Sequence, residues 1–276
     1  MDPLPPGPPW DLPVSEAPFA FVDLEMTGLD AARDRVVEVC IDRVMGRERV
    51  RFIHSLVNPG ERHGGNAHIH GIDAEQTADA PPFSALTRDV LAALDGAILV
   101  AHAAIWDVRF LEAECRRAGA PLEIAHFIDT LVLARRAFAF PSYSLDALCR
   151  ELGIERGRAH RADSDVRALR EVFDRCVGAL TPVSARDLWQ VRVGDRIARQ
   201  AVVDACEAAA KHGAPVLLTY RPAGRPAEAL LMVVVEVRSD LDPPRIVGYQ
   251  HPGRGRRDLR ADRILRVEPQ PADAPP

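Results

Sequence analysis

Residues 19–25, FAFVDLE, form a short apolar run of strand-forming residues that nevertheless contains two carboxylates, Asp23 and Glu25. Successive side chains of a strand point to opposite faces, so residues two apart share a face. Both acids therefore leave the strand on the same side, among apolar neighbours, just before a Thr27-Gly28 step. Burying such a pair is strongly unfavourable unless each charge meets a partner. The run constrains the fold to one in which this strand ends where a compensating cation can reach it.

The rest of the chain supplies the setting. RVVEVCIDRVM (35–45) and RVRFIHSLV (49–57) read as two further strands joined at Gly46-Arg47, and AILVAH (97–102) as a buried strand. Helical periodicity occupies SALTRDVLAALDG, AIWDVRFLEAECRRAG, SLDALCRELG and SDVRALREVFDRCVGAL. Ser144 is placed to cap a helix start, and Gly96, Gly119 and Gly153 fall where helices should stop. Three strands followed by alternating helices and strands predict an α/β domain over 19–180 with a mixed central sheet and flanking helices. Residues 1–18 are Pro-rich and are expected to be extended or disordered, as is the tail 269–276. Residues 181–198 read as a linker or helix. A second domain over 199–268 starts with a helix at 199–213 and continues as strands at 216–221, 229–239, 245–250 and 263–268. Its charge is about +4 over 186–268, against about −8 over 1–185.

The net charge of −5 gives no global basic footprint for nucleic acid, although a site made of carboxylates would itself make its domain acidic. Five scattered cysteines without a C-x-x-C fit free thiols in a reducing cytoplasm. No apolar run approaches the length of a membrane span, so a cytoplasmic protein without membrane partners is expected.

Further acids follow the opening pair in a suggestive order. Asp107 lies early in the helix after AILVAH, and His160 and Asp165 flank RADS at the entrance to the last helix of the first domain. Asp163 reads as a helix cap rather than a ligand. With strand 19–25 central, these residues can meet at one sheet edge. Hard oxygen donors suit Mg²⁺ or Mn²⁺, and two such ions about 3.5–4 Å apart can clamp the attacking and leaving oxygens of a phosphodiester. A histidine can deprotonate the attacking water at neutral pH.

Taken together these segments resemble the DnaQ-like DEDDh family of 3′–5′ exonucleases. The family's D-x-E-x-T-G motif is FVDLEMTGLD here, its second motif is AHAAIWDVRFL, and its H-x-x-x-x-D is HRADSD. HIHGIDAEQTADAPPF, FIDTLVLARRAF and SLDALCRELGI also match, so the resemblance spans about 18–180. It implies an RNase H-like fold and two-metal hydrolysis at DNA or RNA 3′ ends, with single strands favoured. It also implies Asp23, Glu25, Asp107 and Asp165 as metal ligands and His160 as general base. Met26, Thr27, Gly28 and Leu29 would line the terminal-nucleotide pocket, with His102 near the substrate. The second motif departs from the family in having Ala103 where Asn is usual and Trp106 where Phe is usual.

The second domain is similar to the WYL domains of bacterial regulators: its RDLRADRI (257–264) follows their closing R-x-F-R-x-D-R-I, while Pro244, Arg245 and Ile246 stand where the name-giving Trp-Tyr-Leu would be. That similarity implies a small SH3-like β-barrel binding nucleic acid or a nucleotide-like ligand through Tyr220, Arg221, Arg257, Arg260 and Arg263. Two other functions fit the same sequence: a ligand-sensing, nucleic-acid-binding regulator with secondary nuclease activity, and a polymerase proofreading subunit, for which no polymerase-binding peptide is recognisable.

Overall fold

The computed structural model describes residues 4–46, 48–61, 66–155, 161–222, 225, 227–241, 243–253 and 255–270, without the side chains of 192, 193, 195 and 196. The chain divides into two compact units, Met1–Arg192 and Val193–Pro276.

The first unit is built on a five-stranded mixed sheet. Its strands are β1 (Pro18–Met26), β2 (Val36–Met45), β3 (Glu48–Leu56), β4 (Ile98–Ala101) and β5 (Ile128–Asp129), in the order β3-β2-β1-β4-β5. β2 runs antiparallel to both β1 and β3, whereas β4 is parallel to β1 and to β5. The acid-bearing strand is therefore central, as its apolar composition requires. β5 lies at the head of FIDTLVLARRAF, a stretch read from sequence as helix only.

Two short helices, α1 (Ala67–His70) and α2 (Ala74–Ala78), lead to α3 (Phe83–Leu94). The others in this unit are α4 (Ile105–Arg117), α5 (Thr130–Ala137), α6 (Leu145–Leu152) and α7 (Ala162–Leu180). Alternation sends Ala20, Val22 and Leu24 into a buried cluster with Val90, Val108, Phe110 and Leu111 of α3 and α4. On the other face Phe19 and Phe21 meet Phe173 of α7, with ring centroids 5.0 and 5.3 Å apart. Ser144 caps α6 by accepting from Ala147 N at 3.3 Å, and Gly153 ends it at φ 65°. Gly96 and Gly119 also take positive φ just after α3 and α4.

The Pro-rich N-terminal segment is not loose from Leu4 onward, contrary to expectation. Leu4 and Trp10 are buried, and Trp10 packs edge-on against Trp189 with centroids 5.9 Å apart. Ala185 N and Arg186 N donate to the Leu12 and Trp10 carbonyls. The segment read as a linker or helix is largely helical: α8 (Ala185–His212) starts fourteen residues before the helix expected at 199.

The second unit contains β6 (Pro215–Tyr220), β7 (Glu228–Arg238), β8 (Arg245–Gln250), β9 (Arg256–Arg260) and β10 (Ile264–Pro269). They form an antiparallel sheet in the order β10-β6-β7-β8-β9. Val203, Cys206 and Ala209 of α8 pack with Val216, Leu218, Met232, Ile246 and Leu259 as its core. The outer strands β9 and β10 do not pair among the described residues, so the expected barrel is not closed. Residues 271–276 of the predicted tail lie outside the described residues.

Candidate active site

The site forms where β1 outruns its parallel neighbour. β4 pairs with β1 only from Phe19 to Phe21, so the remaining edge of β1 is open on that side. Asp107, in the first turn of α4, fills the gap: its Oδ1 accepts the Leu24 N–H at 3.2 Å. A carboxylate is also favoured at this position by the helix dipole. On the β2 side, the β1–β2 register passes from Glu25 opposite Glu38 to Met26 opposite Val36, which leaves Val37 as the extra residue on β2.

Asp23 and Glu25 face the same side, as alternation requires, and α7 brings Asp165 to them from its first turn. One carboxylate oxygen from each of Asp23, Glu25 and Asp165 lies within 4.8 Å of the others, a spacing able to hold a metal ion. Asp107 stands outside that tightest group, yet it is 6% exposed and close enough to repel the Asp23 charge. Burial first, then the charges of Asp107, Asp165 and Glu25, raise the Asp23 carboxyl well above its ordinary value of 3.8. Burial likewise raises Asp107 well above its ordinary range, against the opposing pull of backbone N–H groups including that of Leu24. Oxygen donors that repel one another in this way fit a hard divalent cation, whose charge would stabilise all of them at once. His160 lies outside the described residues.

Thr27 is buried; its Oγ1 accepts Arg35 N at 3.0 Å, and its N–H donates to the Arg35 carbonyl. Gly28 is required because a Cβ there would collide with the Asp34 carboxylate, which accepts Asp30 N at 2.8 Å. Leu29 is 63% exposed, whereas Met26 is half-buried and packs against the buried cluster that holds Ala20, Val22 and Leu24. His102 is held on both sides: Nε2 donates to the Tyr143 carbonyl at 2.9 Å, and Nδ1 meets the Thr130 hydroxyl at 3.0 Å. Ala103 sits at φ 59°, and its N–H donates to Asp129 Oδ1 at 3.0 Å. That left-handed conformation is one asparagine tolerates better than alanine.

Sequence reasoning missed the acids of β2. Glu38, Cys40 and Asp42 alternate, a pattern that reads as a solvent face, yet all three are fully buried. Asp42 binds Arg49 Nε at 2.8 Å and Arg170 Nη1 at 2.6 Å, and Glu38 binds Arg161 Nη2 at 2.8 Å. Asp163, expected as the α7 cap, instead lies in its first turn and pairs with Arg167. The five cysteines are all buried free thiols.

In the second unit the predicted contacts separate. Tyr220 packs against the core cluster, Arg260 is engaged by Asp262 through Nε and Nη2, and Arg257 by Gln250. The Arg263 carbonyl accepts the Arg221 N–H. Among the described residues no helix is long and apolar enough to cross a membrane.

Residues 20–173 match the protein family described as Exonuclease. The chain is 35% identical over 167 residues to the DNA polymerase III subunit epsilon of Rickettsia conorii, a match covering 57% of this chain and 73% of that protein. It is 31% identical over 182 residues to the DNA polymerase III PolC-type of Thermotoga maritima, covering 66% of this chain but spanning only 13% of that relative's length. The fold is similar to E. coli exonuclease I solved in complex with a dA16 oligonucleotide, with a TM-score of 0.55, 14% identity, and coverage of 84% of this chain and 54% of that one.

Proposed function

The chain belongs to the exonuclease family, with residues 20–173 as its 3′–5′ exonuclease domain, and from that premise we propose that it hydrolyses phosphodiester bonds at single-stranded DNA or RNA 3′ ends with two Mg²⁺ or Mn²⁺ ions. The observation that carries this reading is the convergence of Asp23, Glu25 and Asp165 within 4.8 Å at the open end of β1. With the adjoining Asp107 they are the proposed metal ligands. Bound divalent ions would supply charge stabilisation for the phosphodiester oxygens. The chain's own part is to hold the donors ready: β1 fixes Asp23 and Glu25, the Leu24 N–H orients Asp107, and α7 presents Asp165. His160, on the strength of its H-x-x-x-x-D spacing, takes the proton of the attacking water on an imidazole nitrogen. Exposed Leu29 and half-buried Met26 offer an apolar seat for the terminal base, while Thr27 and Gly28 keep that loop in shape.

The second unit is proposed as a WYL-like module that holds nucleic acid or a nucleotide-like ligand, supported by its positive charge balance. Replacing Arg221 and Arg257 by Ala should then weaken single-strand binding and flatten its salt dependence; unchanged affinity and slope would remove the module from substrate binding. The likeness to a polymerase III epsilon subunit favours a second reading, proofreading beside a polymerase, and failure to co-purify with one would count against it.

The main proposal is tested with 5′-labelled single-stranded DNA and RNA. Stepwise shortening with Mg²⁺ and its loss in Asp165→Ala are expected. Intact substrate after prolonged incubation, or cleavage persisting in EDTA, would refute it.

A further inference from the structure

Glu38 lies beside the acidic cluster but is aimed into the protein. It sits on β2 directly opposite Glu25 in the β1–β2 register and is fully buried. Its carboxylate accepts from Arg161 Nη2 at 2.8 Å and Nε at 3.1 Å, and from Ala162 N at 3.0 Å, and it meets His54 Nε2 at 2.9 Å. α7 has no side-chain cap of its own, so the bond to Ala162 N supplies one from a different strand. The Arg161 carbonyl in turn accepts Ser164 N and Asp165 N. The turn that presents Asp165 is thus tied at its root to Glu38.

Arg161 also lies within electrostatic reach of Glu25 and Asp163. A guanidinium is a permanent cation that pairs with carboxylates in bidentate fashion. Released from Glu38, it would have Glu25 as an alternative partner and would compete there with a divalent ion.

We propose that Glu38 is a positioning residue that keeps the Arg161 guanidinium off Glu25, leaving the cluster open to a divalent cation, while it caps the helix that carries Asp165. This rests on the metal-site reading given above. A simple packing role for Glu38 would change stability alone. The shielding role couples Glu38 to Arg161, and removing the second should repair the loss of the first.

The experiment is calorimetric titration of Mn²⁺ into the full-length wild type, Glu38→Gln, Arg161→Gln and the double variant, with kcat and KM on a labelled DNA strand in parallel. Glu38→Gln should weaken Mn²⁺ binding by at least about tenfold and lower kcat, with KM for the strand within about threefold. The double variant, which leaves no unpaired buried charge, should return Mn²⁺ affinity to within about threefold of the wild type. Unchanged Mn²⁺ affinity in Glu38→Gln, or a double variant as weak as the single one, would overturn the proposal. Should Glu38→Gln not fold, as judged by circular dichroism, Glu38→Asp, whose shorter carboxylate holds Arg161 less firmly, takes its place in the same comparison with its own Arg161→Gln double variant. Absence of saturable Mn²⁺ binding by the wild type would overturn the metal-site reading and this inference with it, whereas wild-type binding with indifferent variants overturns this inference alone.

Discussion

Replacing Asp23 by Asn should abolish exonuclease activity and yet stabilise the metal-free protein. In the folded chain, Asp23 shares a space no wider than 4.8 Å with Glu25 and Asp165. Two unit charges at 4.8 Å repel by about 3.5 kcal/mol at an effective dielectric of about 20. The amide removes this repulsion from two pairs while keeping the side chain's shape. The gain is smaller than the sum, because solvent and local relaxation already screen part of the repulsion. The expected stabilisation in EDTA at pH 8 is about 1–3 kcal/mol, or roughly 2–10 °C in Tm. The pH dependence has a definite sign. A carboxyl whose folded value lies above its ordinary 3.8 binds more protons folded than unfolded, so wild-type stability falls as pH climbs upward from that value through the raised one. The advantage of Asp23→Asn should therefore shrink towards pH 5. Urea denaturation in EDTA at the two pH values measures both effects. A variant no more stable than wild type at pH 8, or one with the same advantage at pH 5, would mean that the acids of the cluster do not repel one another in this way.

Three other outcomes are expected. Gly28→Ala should lose about 1–3 kcal/mol in urea denaturation, because its Cβ would displace the Asp34 carboxylate that shapes the loop; a neutral result would mean the loop yields freely. Ala103→Asn should gain about 0.5–1 kcal/mol by relieving the left-handed backbone at φ 59°, and a loss of stability would contradict that assignment of strain. His160→Ala should lower kcat by about 10²- to 10⁴-fold while Mn²⁺ affinity stays within about threefold; equal loss of metal binding would make it a ligand rather than a base.

The first domain was legible because its strands and helices obey local rules. FAFVDLE had to be a buried strand, and Ser144 and Gly153 bound a helix whose apolar positions fall on one side. The order of the acids singled out a set of residues, of which the structure brings Asp23, Glu25 and Asp165 together with Asp107 adjacent. What sequence reasoning missed depends on distant partners. Glu38 and Asp42 alternate like surface residues and are buried only because Arg161 and Arg170, far along the chain, come to meet them. The proline-rich start reads as disorder by composition, whereas Trp10 finds a partner in Trp189. β5 is only two residues long, too short for any periodic signal. α8 begins soon after Pro182, where Asp187 accepts from Val183 N and Ser184 N, a local start signal. Barrel closure in the second unit was inferred from similarity to a family, and local pattern carries no information about whether outer strands meet.

On the proposed function, the two acids of β1 are tolerated near a buried strand end because divalent cations neutralise them. Counting Mn²⁺ bound per chain, in the presence of a nucleoside 5′-monophosphate as the expected product, tests it most directly. Two saturable ions per chain are expected, and they should be lost, in whole or part, in Asp23→Asn and Asp165→Asn. No saturable Mn²⁺, or the same count in those variants as in the wild type, would contradict it.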